Sequence, residues 1–441
     1  MKSLILFDAS SDQAPVCRIA GSLADALSDQ GDTVTRINVR EKTIACCTGC
    51  FGCWFKTPGE CVVHDDGREI ARELIGSDRV VIVSPVQFGS ISSAMKRAVE
   101  RQIPGISPLF QKWRGEWHHK DRYPSFPDFA VIGWLDSPDA DAGKVFHNLF
   151  FRNQMNFRSH HSAVRVVHGD EKLDPVSFIE EWMDSSPGTG RPEPLQTLSD
   201  TLIREVPDAD TVSPGHLLCL MGSPARDRST SARLAETVAA SFPPDSWEIR
   251  FRHAYAAPMK PADPEQLTAD VLWADRMVLA FPLYVDGLPS GLLEILEGIT
   301  ARLPEQIDPR RRIPMMGICN CGFPESHQCD AAMDICAVFA RDAGLYWQGG
   351  LSIGMGGMIH GRPLNDHGGP TRRLYRACRD AGNRLKHGKP LTADIRREAS
   401  KPMIPYWIYA LIAGISMRRA FKPDGPGKRI DARPFEYPRK S

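Results

Sequence analysis

Two tandem doubly wound α/β domains, each built on a parallel sheet, are the fold that this sequence predicts, and three observations predict it. The chain has 441 residues, enough for two or three domains with substantial cores. One plan of apolar runs and helical segments occurs twice along it. Finally, the apolar runs are of strand length, lack polar alternation and alternate with helices, as strands buried on both faces and joined by right-handed crossovers do.

Residues 2–8 (KSLILFD) form the first such run, and residues 17–27 read as the helix after it. The second half opens in the same way, with residues 216–221 (HLLCLM), a polar loop over 222–231 and a helix over 232–241. Residues 77–89 (SDRVVIVSPVQFG) align without a gap on residues 274–286 (ADRMVLAFPLYVD). In both, a helix ends at Asp-Arg, an apolar strand follows, and Pro85 or Pro282 stops it. Helices over 95–102 and 292–301 come next. A third pair of strands is 129–134 and 313–320, and a fourth is 163–167 and 350–353. The helical segment 195–205 is assigned to the first domain, and the boundary is set at 207–214, where Asp, Ser and Pro gather. A helix over 371–386 completes the second domain. The predicted organisation is therefore an N-terminal domain over 1–206, a C-terminal domain over 215–387, and a C-terminal extension over 388–441.

Fifty-four basic side chains balance 54 acidic ones, and no long run of like charge occurs, so a nucleic-acid partner is not expected. The apolar start is too short for a signal peptide, which points to a cytoplasmic protein. Twelve cysteines in such a setting imply reduced thiols or metal ligation rather than a disulfide framework. Near the C-terminus, residues 403–416 (MIPYWIYALIAGIS) are too few for a transmembrane span. Docking on the chain's own fold or on a partner subunit is the favoured reading of this segment, and interfacial membrane contact is the alternative.

The densest chemical signal is Cys47, Cys50, Cys53 and Cys61, spaced C-x2-C-x2-C-x7-C, with Gly49 and Gly52 between the first three. The glycines let the backbone fold tightly so that thiolates converge and amides approach their sulfurs. Such a run suits an iron–sulfur cluster; buried or disulfide-capable thiols, and zinc, stay open as readings. Cys46 reads as a bystander.

In an open α/β sheet, ligands bind beyond the carboxyl ends of the strands. The first such loop of the second half carries Ser223, Arg226, Ser229, Thr230 and Ser231 at a helix start, the pattern of a phosphate site, although Ser229 and Thr230 serve equally as helix caps. The second carries Pro282, Leu283, Tyr284, Val285, Asp286 and Gly287, offering an aromatic and backbone amides to a planar ring. The third carries Asn320, Gly322 and Phe323, with an amide for ring polar edges and a glycine for close approach.

With the phrases Ser84-Pro85-Val86-Gln87-Phe88-Gly89 and Asn320-Cys321-Gly322-Phe323-Pro324-Glu325, this combination resembles the flavodoxin-like NAD(P)H-dependent FMN reductase superfamily in two tandem copies. The cysteine run followed by Asp65-Asp66 is similar to the compact motif of its iron–sulfur flavoproteins. The resemblance implies FMN as cofactor, its phosphate at the loop 223–231 and its ring between 283–287 and 320–323. It further implies NAD(P)H as electron donor, a [4Fe–4S] cluster on Cys47, Cys50, Cys53 and Cys61, and a quinone, flavin or protein as electron acceptor. Family members are commonly dimers with flavin sites at subunit contacts, which implies a homodimer unless the tandem copies meet that need within one chain. No side chain stands out as an acid or base. A non-catalytic redox sensor or electron carrier is the rival reading.

The two copies differ. The first-half loop carries Asp8 and Asp12, which would repel a phosphate, so FMN is expected in the C-terminal copy and weakly or not at all in the N-terminal one. Among lesser candidates, Cys319, Cys321, Cys329 and Cys336 are expected in the core. The pairs His118-His119 and His160-His161 are expected in solvated loops with diverging side chains. Residues 354–358 (GMGGM) should shape a tight turn.

Overall fold

A computed structural model describes residues 1–185, 197–206, 215–306, 308, 311–424 and 429–436. The chain divides into two compact units, Met1–Leu195 with Leu411–Ser441, and Gln196–Ala410.

In the first unit β1 (Lys2–Phe7), α1 (Pro15–Asp29), β2 (Thr33–Asn38), α2 (Gly52–Phe55), α3 (Asp66–Ile75), β3 (Arg79–Gln87), β4 (Ser90–Ile91), α4 (Ser93–Glu100), β5 (Ile106–Trp113), β6 (Glu116–Asp121), β7 (Asp128–Leu135), α5 (Ala140–Phe157), β8 (Ser162–His168) and α6 (Pro175–Asp184) follow one another. The sheet runs β2-β1-β3-β7-β8, all parallel, with β4 folded back antiparallel on β3. Alternate strand residues face opposite sides. Ile5, Val81, Val83, Ala130 and Ile132 pack with α1 and α6 on one face, while Phe129 meets Phe150 and Phe157 of α5 on the other. That double burial is why the strands read as unbroken apolar runs. Gly89, at φ 79°, turns the chain between β3 and β4; a Cβ there would lie 2.4 Å from Val145.

The second unit repeats the plan with β9 (Gly215–Met221), α7 (Thr230–Ala239), β10 (Trp247–His253), β11 (Tyr255–Ala257), β12 (Lys260–Pro261), α8 (Pro264–Trp273), β13 (Arg276–Pro282), α9 (Ser290–Thr300), α10 (Leu303–Gln306), β14 (Pro314–Asn320), α11 (Asp330–Asp342), β15 (Tyr346–Ile353), α12 (Arg372–Lys386), α13 (Ala393–Ser400) and α14 (Tyr406–Ala420). Its sheet runs β10-β9-β13-β14-β15, all parallel. One face packs on α7, α12 and α13 through Leu217, Cys219, Val278, Ala280, Met316, Ile318 and Leu351. In each unit the order reverses beside the first strand of the repeat, which puts the switch point at the loops after β1 and β3, or after β9 and β13.

Three expectations change. Described residues 197–206 form turns and irregular backbone instead of a helix of the first domain. They hold to the second unit, where the Ser199 amide donates to Asp334 at 2.7 Å and the Arg204 amide to the Trp347 carbonyl at 3.0 Å. Residues 388–441 are not one extension: α13 packs on the second unit. Residues 429–436 join the first, where Arg122 donates to the Ile430 and Ala432 carbonyls at 3.0 and 2.8 Å. The unit border falls inside α14. The expected boundary, 207–214, lies outside the described residues. Finally, His118 and His119 sit on β6 of a hairpin that alternation did not signal. His118 is buried with its ring 2.9 Å from Asn156 Oδ1, and His119 packs on Trp54 with the two rings tilted by 45°. Their side chains diverge, as the strand requires.

Candidate functional site

The carboxyl ends of β9, β13, β14 and β15 bring the predicted cofactor loops together within the second unit. Ser229 caps α7, its hydroxyl accepting from the Ala232 amide at 3.0 Å. The first-turn amides at Thr230 and Ser231 are those that a helix leaves without intrahelical acceptors, and they carry the positive end of its dipole. The hydroxyls of these residues hold the loops in place. Buried Ser231 donates to Asn320 Oδ1 at 2.7 Å and Thr230 to the Gly356 carbonyl at 3.1 Å. Ser223 is buried and accepts from the Ala225 amide at 3.3 Å. Arg226 sits at φ 52° and donates to the Ala256 carbonyl at 2.8 Å.

The second loop is a two-residue reversal. Tyr284 and Gly287 exchange backbone hydrogen bonds of 3.0 and 3.1 Å, with Val285 and Asp286 at φ 45° and 55° between them. Leu283 beside it donates its amide to the Asn320 carbonyl at 2.9 Å, which ties Pro282 and Leu283 to the third loop. There Gly322 is exposed, and a Cβ would meet nothing within 4 Å. Phe323 accepts from the Met355 amide at 2.7 Å and Cys321 from the Gly356 amide at 2.8 Å, so residues 354–358 do shape a tight turn against this loop.

The predicted residues are thus brought together, with two revisions. The hydroxyls of Thr230 and Ser231 already donate to protein acceptors, so an anion here would be held by first-turn amides. Tyr409, which the sequence reading passed over inside an apolar segment, donates its hydroxyl to the Gly322 carbonyl at 2.7 Å. Burial pushes its phenol well up, so it stays a donor. Cys319, Cys321 and Cys329 are buried in mutual contact behind the third loop, and Cys336 is buried as well. Burial pushes the Cys319 thiol up, as suits core thiols.

The corresponding loop of the first unit carries a buried carboxylate. Asp8 follows β1 as Gly222 follows β9, since the Asp8 amide donates to Val83 as the Gly222 amide donates to Ala280. Its buried carboxylate takes Nε of Arg40 at 2.6 Å and a second nitrogen at 3.1 Å, and accepts from the Ser92 hydroxyl. Helix α1 starts on Pro15, which has no amide proton, and no side chain caps it. An anion would meet a carboxylate and one donor fewer.

The cysteine loop also belongs to the first unit. Gly49 and Phe51 take positive φ, and α2 then turns Cys53 and Trp54 into the interior while Cys50 faces outward. The Gly52 amide donates to Cys50 Sγ and the Val63 amide to Cys61 Sγ, both at 3.5 Å. Burial, then Glu100, push the Cys47 thiol up to about 12. Burial and then Cys47, Cys61 and Cys50 push Cys53 up, so the four thiols lie within electrostatic reach of one another. Asp65 anchors the loop by accepting from both terminal nitrogens of buried Arg101 at 2.7 Å, from the Ala45 amide at 2.9 Å and from the Gly67 amide at 3.1 Å. The loop has the donor set and amide-to-sulfur hydrogen bonds of a thiolate-ligated centre. The expected convergence on one point is not found: among the described residues no group of three or more His, Cys, Asp or Glu is disposed to hold a metal ion. Cys53 is buried and Cys50 exposed.

Residues 3–120 match the family model of the NADPH-dependent FMN reductases, and residues 215–300 match the model named flavodoxin-like fold. Both units are flavodoxin-like. The chain is similar to an iron–sulfur flavoprotein of Archaeoglobus fulgidus, 37% identical over 78 residues, which are 18% of this chain and 34% of that protein. It is likewise similar to an iron–sulfur flavoprotein of Methanocaldococcus jannaschii, 31% identical over 80 residues, 18% of this chain and 40% of that one. The matches therefore span 34% and 40% of those relatives' lengths. Among solved structures, an FMN-dependent NADH-azoreductase from Bacillus anthracis in complex with FMN is 15% identical, covering 41% of this chain and 92% of its own, with a TM-score of 0.30. For the NAD(P)H:quinone oxidoreductase from Methanothermobacter marburgensis the values are 13%, 42%, 94% and 0.31. No helix among the described residues of these flavodoxin-like units is long and apolar enough to cross a membrane.

Proposed function

We propose that the chain is an FMN-dependent NAD(P)H oxidoreductase whose flavin site lies in the C-terminal unit, with a quinone, flavin or protein as electron acceptor. One observation carries the placement: the buried hydrogen bond from Ser231 to Asn320 locks the anion-binding start of α7 to the loop that would face a planar ring. Bound FMN would supply two-electron exchange with the nicotinamide and delivery to an acceptor. The protein's part is to hold and orient it. The α7 amides at Thr230 and Ser231 take the phosphate, Ser223 and Arg226 shape the loop beneath, and Leu283, Tyr284, Val285, Asp286 and Gly287 flank one ring edge. Asn320, Gly322 and Phe323 flank the other, with the open space beside Gly322 admitting the ring.

Cys47, Cys50, Cys53 and Cys61 are the proposed ligands of an iron–sulfur cluster, which the names of the two archaeal relatives favour. Metal binding must first deprotonate thiols that burial keeps neutral, so ligation and closure of the loop would occur together. No electron step is assigned to this loop.

Anaerobic purification tests both parts. Flavin bands with NAD(P)H oxidation in the presence of a quinone support the oxidoreductase, and stoichiometric iron and acid-labile sulfide support the cluster. Flavin without iron would leave a simple flavin reductase, whereas a colourless protein inert to NAD(P)H would overturn the main reading.

A further inference from the structure

Eleven large apolar side chains stand exposed among the described residues, and five of them lie on α14: Tyr406, Trp407, Leu411, Ile412 and Ile415. Trp407 is 67% exposed and Leu411 57%, so of the favoured expectation, docking on the chain's own fold or on a partner subunit, the own-fold part holds only at Tyr409. The helix's buried residue is Tyr409, the anchor to Gly322. Isolated apolar side chains on a surface need no explanation, but a contiguous group marks an interaction face.

The charges around this helix are one-sided. It contains no carboxylate and ends in exposed Arg418 and Arg419, with exposed Lys422 just beyond. From residue 372 to 424 the sequence has thirteen Lys and Arg against four Asp and Glu, in a chain whose charges balance overall. Two of those carboxylates, Asp394 and Glu398, are paired with Arg397 and Lys401. Helix α12 places Arg372 and Arg373 in its first turn, with no acidic residue there, against the unfavourable end of the helix dipole. Both are exposed beside Tyr375 and Arg376. Arg373 donates to the Pro402 carbonyl at 3.1 Å, which brings this basic start next to the segment leading into α14.

We propose that α14 docks on an anionic lipid surface and lies in the interface. At 15 residues the helix is about 22 Å long, short of the roughly 30 Å hydrocarbon core, so it cannot span. Trp407 and the aliphatic residues enter the headgroup and acyl boundary, while arginines meet lipid phosphates. A second copy of the chain is the poorer occupant, because a two-fold contact would set this net positive region against itself. The proposal does not depend on the oxidoreductase reading.

Sedimentation of the full-length protein with sucrose-loaded vesicles tests it. Phosphatidylcholine vesicles containing phosphatidylglycerol should carry the protein down, at least about tenfold more tightly than phosphatidylcholine alone, and raised salt should release it. The double variant Trp407→Ser/Leu411→Ser and, separately, Arg418→Glu/Arg419→Glu should each weaken binding about tenfold without changing the melting temperature, since all four side chains are exposed. No sedimentation with the anionic vesicles, or binding that neither variant alters, would overturn the proposal. So would a dimer in light scattering that Trp407→Ser dissociates in a protein that ignores vesicles, which would assign the face to a second copy.

Discussion

Ser231 shows how much a single hydroxyl can organise. Its bond to Asn320 is buried and joins segments 89 residues apart. Ser231→Ala leaves the Asn320 oxygen without that donor, a loss of about 1–2 kcal/mol that loosens one loop against the other. Titration of flavin-free protein with FMN should show a dissociation constant weakened about tenfold, and unchanged affinity would remove Ser231 from the site. Asp8 makes the opposite case. Asp8→Ala removes the acceptor of the buried Ser92 hydroxyl and an ion-pair partner of half-exposed Arg40, and should destabilise the N-terminal unit by about 1–3 kcal/mol in urea melts. Flavin content should stay unchanged. The sequence showed Asp8 as a misplaced charge for a phosphate loop, but not that Arg40 pairs with it and Ser92 donates to it, because they reach it only through the fold.

At the scale of elements, α11 carries a buried carboxyl that makes stability depend on pH. Burial pushes Asp334 up to about 6, against which hydrogen bonds from Ser199 and Leu198 work. The folded state therefore holds this proton between the unfolded value near 3.8 and about 6, where the unfolded chain has released it. Stability falls as pH rises through that window and is level above it. Asp334→Asn, which keeps an acceptor for the Ser199 amide, should abolish this fall and leave the protein about 1–3 kcal/mol more stable at neutral pH. Melting temperatures at pH 4.5 and 7.5 would check it, and an equal slope in both proteins would refute it. The paired strands and the helices after them were legible because apolar runs and prolines announce them. The hairpin of β5 and β6 was not, since Glu116, His118 and Lys120 do not read as one buried face, although Glu116 and His118 are buried. There Arg152 pairs with Glu116 at 2.7 Å, an arrangement that propensity does not encode.

For the whole molecule, the repeat of one plan does not imply a repeat of one chemistry. At the loop after its first strand, one unit offers the capped helix amides of α7, whereas the other offers the Asp8 carboxylate and an uncapped helix that starts on a proline. Purified protein should therefore hold about one FMN per chain rather than two, measured as released flavin against peptide absorbance. A ratio near two would show that the Asp8 network opens to admit a second flavin.

The sequence by itself determined the two parallel α/β units, the order of their strands' apolar runs and the loops that gather at the carboxyl ends of the second unit's strands. It could do so because strands buried on both faces, helix caps and turn residues are written locally. Tertiary structure alone decided that Ser231 and Thr230 spend their hydroxyl protons on other loops, that Tyr409 holds Gly322, that Cys53 is buried while Cys50 is exposed, and that α14 stands exposed. Each depends on which distant segment arrives beside a side chain. Burial and hydrogen-bond partners of that kind are properties of the packed chain, not of any window of its sequence.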